Sequence, residues 1–153
     1  QLEELAERTP RFEVLSSVDN DTYAGLLRAA DILLVNERPG LTEMCVPSKL
    51  TSYFTADRPV LAAVEAEGPS AAELAAADAG IRVEPGDPEA LVAGAMTLHE
   101  EWITTGGATH RGGRGYVRDV LSRGAAVRSF TTALHKLRPG IAAEHRAPVT
   151  AHS

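Results

Sequence analysis

Residues 31–64, DILLVNERPGLTEMCVPSKLTSYFTADRPVLAAV, hold two short apolar runs, Ile32–Val35 and Val60–Val64, with a helix-length segment between them. Neither run alternates apolar with polar residues, so each reads as a strand covered on both faces, the habit of a parallel sheet. Leu50, Tyr53 and Phe54 share one side of the intervening helix, which is expected to end near Asp57,. A strand, a helix and a second strand in that order make one crossover unit of a parallel sheet.

The same alternation continues in both directions. Asp19, Asn20 and Asp21 offer capping oxygens to a helix whose Tyr23, Leu26, Leu27 and Ala30 share a face,. Before it, Arg11–Leu15 reads as a further short strand, and Leu2, Leu5 and Ala6 give Gln1–Arg8 the look of a cut helix without an N-cap,. Downstream, Ser70 with Glu73 predicts a capping box, and Gly80 stands where a helix C′ residue belongs,. Ile81–Glu84 predicts the next strand. Asp87, Pro88 and Glu89 then supply a cap, a first-turn proline and a first-turn acid for a helix with Leu91, Ala95, Leu98 and Trp102 on one side,. Two more helices are expected near 112–121 and 124–137, the second carrying Val127, Phe130, Leu134 and Leu137 at helical spacing,. From Arg138 onward no periodicity remains, so 138–153 is expected to be a flexible tail,. The expected architecture is α/β: a Rossmann-like three-layer sandwich with a mostly parallel sheet over residues 1–137.

Bulk properties narrow the function. A chain of 153 residues, 44% hydrophobic and 24% charged, suits one soluble domain,. The net charge of −6 argues against general nucleic-acid binding, which needs a basic surface,. Cys45 is the single cysteine, so no internal disulfide exists, as fits a reducing compartment,. His99, His110, His135, His145 and His152 are scattered without metal-binding spacing, and no metal site is read,. In doubly wound sheets ligands lie beyond the carboxyl ends of the strands, near helix N-termini. The segment Val46–Lys49 occupies such a place.

The order LLRAADILLV, VPSKLTSYFTADRPVLA, DAGIRVEPGDPEALVAGAM, GGRGYVRDVLSRGAAVRSFTTAL resembles the donor-binding half of GT-B glycosyltransferases of group 1 (family 4). Within that family the likeness is closest to the colanic-acid and exopolysaccharide enzymes with a PSKL helix start. The resemblance covers about residues 1–137 and rests on the order and spacing of its motifs, none of which is decisive alone. It implies a two-domain enzyme that transfers a sugar from a UDP- or GDP-sugar to a polysaccharide or lipid-linked acceptor, without a metal or cofactor. It also implies a cytoplasmic location, with peripheral association of the full enzyme at the inner face of the membrane. The implied partners are the nucleotide-sugar and an N-terminal acceptor domain of the same enzyme. The strand, Gly-containing loop, Arg and Lys that the family places before the opening helix are missing here. The chain is therefore expected to be an N-terminally incomplete GT-B domain, inactive by itself, with an uncovered sheet edge that favours marginal stability or self-association.

By position, the resemblance gives donor phosphates and sugar to the loop Pro39–Val46, including Gly40, and to Pro47, Ser48 and Lys49. Helix-start N–H groups and a lysine charge suit a phosphate; helix capping by Ser48 and a solvated Lys49 are the plain readings. Val18, Asp19 and Asn20 match the loop that passes the nucleotide base, with helix capping by Asp19 or Asn20 part of the role. The family's pair of glutamates is broken: Ser52 stands at the second position, and Glu43 near the first is either its substitute or an exposed loop acid. Asp57 replaces the usual glycine before Arg58-Pro59, a turn that aspartate tolerates. Arg111, Arg114 and Arg118 read as one helix face covering the sheet rather than as an RNA-binding element. Two other classes fit the pattern: a non-catalytic Rossmann-like module kept for assembly, and a domain of a nucleotide-sugar epimerase, although the acids and histidine that such an enzyme needs at its strand ends do not cluster here. No catalytic residue is assigned.

Overall fold

The computed structural model describes residues 2–40 and 48–137. Three short strands, β1 (Leu33–Asn36), β2 (Val60–Ala63) and β3 (Gly80–Val83), form a parallel sheet in the order β1-β2-β3. Leu33 pairs with Val60 and Val60 with Gly80, and the register runs on without a bulge. The helices are α1 (Leu2–Arg8), α2 (Asn20–Ala29), α3 (Ser48–Ala56), α4 (Pro69–Ala77), α5 (Pro88–Thr105), α6 (Gly113–Tyr116) and α7 (Arg123–Leu137), with a π-helical turn over Val117–Leu121 between the last two. The protein is thus an α/β domain with a small open parallel sheet, compatible with a Rossmann-like fold.

Alternate side chains of the strands feed two different layers. Leu33, Val35, Val60 and Ala62 join Leu50 and Phe54 of α3 and Leu74 and Ala77 of α4 in one buried cluster. Phe54, 1% exposed, meets Tyr116 edge-on with ring centroids 6.0 Å apart. The other face of the sheet belongs to α5. A Cβ at Gly94 would come within 2.8 Å of Leu61 and 3.0 Å of Val83, so glycine lets this helix lie close on β2 and β3. Leu98 is buried on the same side. Beside them Leu34 is 45% exposed, and among the described residues β1 pairs with β2 alone. On this face the β1 end of the sheet is therefore less covered than β2 and β3.

Several local readings hold. Asp19 caps α2 through Thr22 N–H at 2.8 Å, and Asp87 caps α5 through Ala90 N–H at 2.9 Å with Pro88 in the first turn. Asp57 takes the left-handed conformation at φ 61. Its carboxylate lies 3.5 Å from Arg111 and 3.8 Å from Arg114.

Others are corrected. Residues 11–15 form no strand: a strand has no hydrogen bonds of its own, and no neighbouring strand accompanies them,. Ser70 and Glu73 make no capping box, because α4 starts two residues earlier, with Gly68 as N-cap, no side-chain cap and Pro69 first in the helix. The left-handed end of α4 is Asp78 at φ 45, not Gly80. Gly80 opens β3 instead, where a Cβ would stand 1.8 Å from the Val60 carbonyl oxygen. The expected helix at 112–121 is one α turn followed by one π turn. Its arginines do not form one face over the sheet. Arg111 lies over Trp102 at 5.9 Å, as Arg58 does at 5.6 Å, Arg114 reaches the Thr55 carbonyl, and Arg118 binds its neighbour Asp119. The expected tail, 138–153, lies outside the described residues.

Candidate functional site

Three loops meet beyond the carboxyl ends of the strands. After β1 the chain passes through Glu37, Arg38 and Pro39 to Gly40, whose φ of 83 lets it turn. The Gly40 N–H donates to Glu65 Oε1 at 2.7 Å, which ties this loop to the end of β2. Pro39 packs over Gly86 after β3, where a Cβ would come within 2.9 Å of its ring. Arg82 closes the other side, donating to the Val64 carbonyl at 2.9 Å and to Glu84 Oε2 at 3.0 Å. Between these loops and the start of α5 an open cleft of about 200 Å³ is lined by Asn36, Ala63, Gly86, Asp87, Pro88 and Leu91.

Beneath this rim lies a polar contact that joins two crossover units. The Ser70 hydroxyl, 2% exposed, donates to Glu37 Oε1 at 2.7 Å. Burying that hydroxyl without a partner costs about 1–3 kcal/mol, so the carboxylate serves the fold as much as the surface. No sequence signal pairs these two residues, because 33 positions separate them. Glu37, Glu65 and Arg82 are thus residues that the sequence alone did not single out, and Ser70 is one it read only as a helix cap.

The described residues expected to hold a donor do not come together in one place. Gly40 belongs to the rim just described. Ser48 and Lys49, both exposed, are the first residues of α3. Helix-start N–H groups and an ammonium there suit an anion. Glu43 and Pro47 lie outside the described residues. Ser52 sits one turn further into α3 and faces a different place, a groove of about 220 Å³ between α2 and α3 shared with Tyr23, Leu27, Arg28 and Thr55. Val18 borders a separate hollow with Leu15, Tyr23 and Leu26. Asp19 is committed to capping: it accepts from both the N–H and the hydroxyl of Thr22, and these bonds hold its carboxyl below the ordinary aspartate range.

Tyr53 links the α3 side to the open edge. Its hydroxyl donates to the Leu34 carbonyl at 3.3 Å, and burial, with Tyr23 nearby, pushes its pKa up. It therefore stays a neutral donor through the physiological range. Among the described residues no group of three or more histidine, cysteine or acidic side chains could hold a metal ion. No helix of the described residues is long and apolar enough to cross a membrane.

No protein-family model, curated protein or solved structure matches the chain significantly. The fold and the rim therefore carry the functional argument by themselves. They define a small parallel α/β domain whose β1 and β2 ends carry hydrogen-bonded carboxylates, Glu37 and Glu65, with an exposed lysine at the start of α3.

Proposed function

We propose that this domain is the nucleotide-sugar-binding portion of a GT-B glycosyltransferase that passes a sugar from a UDP- or GDP-sugar to a polysaccharide or lipid-linked acceptor. The observation that carries the reading is the placement of Ser48 and Lys49 at the first turn of α3, directly after the loop that leaves β1. Backbone N–H groups at that helix start receive phosphate oxygens, and Lys49 adds a point charge to the diphosphate. The Gly40 turn, held by Glu65, fixes the first part of the same loop. In the complete enzyme such groups stabilise negative charge on the departing diphosphate. The acceptor domain, and any association with a membrane surface, belong to the rest of that enzyme.

Thermal melts with UDP, GDP, TDP and ADP test this. A ligand at a hundredfold excess over its Kd stabilises the fold by about 2.7 kcal/mol, a shift of several degrees. One nucleotide is expected to raise Tm, and Lys49→Ala to abolish most of that rise. No rise with any nucleotide, in a sample with a cooperative transition, favours the second reading: a non-catalytic assembly module. The internal engagement of Glu37 and Glu65 supports that reading, since both carboxylates are already occupied.

A further inference from the structure

We infer that the outer face of α5 in one copy of this chain is the docking surface for α7 of another. Ala125, the buried residue of α7, lies at its start. At about 100° per residue, Val127, Phe130 and Leu134 fall on the opposite side of the helix. They are 57%, 66% and 49% exposed, a stripe that points away from its own domain. A shallow hollow beside it is lined by Val127, Arg128, Thr131, Thr132 and His135.

Charge decides which surface covers this stripe. α7 carries Arg123, Arg128 and Lys136 and no acid, so two copies of α7 side by side would set like charges together,. α5 has the complementary character. Its inner side holds Gly94 and Leu98 against the sheet, while Val92, Met96 and Ile103 stand 64%, 54% and 67% exposed on its outer side. Glu89 and Glu100 flank that outer stripe, and the helix contains no lysine or arginine. An apolar stripe with Glu89 and Glu100 along one side thus meets an apolar stripe that has Arg123 in line with it and Arg128 beside it, over two to three turns,. The two faces differ, so the contact is heterologous and each copy offers both halves of it. A contact between two helices falls below the roughly 1,200 Å² of a stable standard interface, so association depends on concentration.

Sedimentation of the full chain without nucleotide, from micromolar to millimolar concentration, tests this independently of any donor binding. The wild-type mass is expected to rise above monomer with concentration, and less so at high salt. Met96→Asp and Phe130→Asp each change an exposed position and should leave a folded monomer by circular dichroism. Mixed in equal amounts, they should regain association as a one-to-one heterodimer, because the mixture restores one intact α5 and one intact α7. Leu5→Asp, on the exposed acidic helix α1, should associate like wild type. A monomeric wild type at millimolar concentration overturns the inference. So does a Met96→Asp/Phe130→Asp mixture that stays monomeric, or loss of association in Leu5→Asp.

Discussion

Phe54 and Phe130 are both aromatic residues on amphipathic helices, yet one is 1% exposed and the other 66%. Phe54 lies on α3, whose apolar side meets the β1–β2 side chains, Leu74 of α4 and the Tyr116 ring. Phe130 lies on α7, which leaves the domain after the π-helical turn and packs near its start. The period of apolar residues is equally clear in both helices. It names a face and not the surface that covers it. A crossover helix such as α3 is forced onto the sheet by the two strands it connects, whereas α7 connects no two strands among the described residues.

The contrast can be broken at the sheet first. Gly80→Ala forces a methyl into the Val60 carbonyl, 1.8 Å from its Cβ position, so β2 and β3 cannot keep their pairing. The expected loss exceeds about 4 kcal/mol, the range of the most severe single substitutions, and shows as the absence of a cooperative urea transition. Phe54→Ala removes a fully buried ring and should cost about 3–5 kcal/mol by urea denaturation. Phe130→Ser should change the stability of the monomer by less than about 0.5 kcal/mol, which makes the pair a direct measure of the difference. Equal losses at the two phenylalanines would show that α7 packs on the core in solution.

A smaller effect separates rim from core. Ser70→Ala leaves the half-buried Glu37 carboxylate without its hydroxyl donor and should cost about 1–2 kcal/mol, read by the same denaturation,. The smallest concerns pH. Asp19 is held below the usual aspartate value by the Thr22 N–H first and the Thr22 hydroxyl second. A carboxyl lowered in the folded state stabilises it fully above the unfolded pKa, about 3.9, and loses that contribution as pH falls through the lower folded value. Stability should therefore be level from pH 7 to 5 with respect to this group and decline below about pH 4. Asp119, lowered by its hydrogen bonds with Arg118, acts in the same direction. Asp19→Asn, which keeps a capping oxygen but not the charge, should flatten the decline and give up at neutral pH the same small contribution,.

The site was legible in proportion to how local its parts are. Asp19 and Asp87 were readable as caps because each bonds an N–H three residues on. Ser48 and Lys49 were readable as a helix start after a strand because that follows from order alone. Ser52, one turn along the same helix, was grouped with them, but α2 packs beside that turn and places it in another groove. Ser70 was misread because its true partner, Glu37, belongs to an earlier crossover unit.

The sequence by itself determined the strand–helix order, the parallel sheet, the capped starts of α2 and α5 and the left-handed turn at Asp57. Each depends on residues a few positions apart, whose geometry is fixed by backbone sterics and short-range hydrogen bonds. Tertiary structure alone decided that 11–15 stays outside the sheet, that Gly80 admits a neighbouring carbonyl, that Ser70 holds Glu37, and that the apolar stripe of α7 faces outward. These depend on which distant surfaces arrive at the same place, and burial rewards any apolar face without specifying its partner.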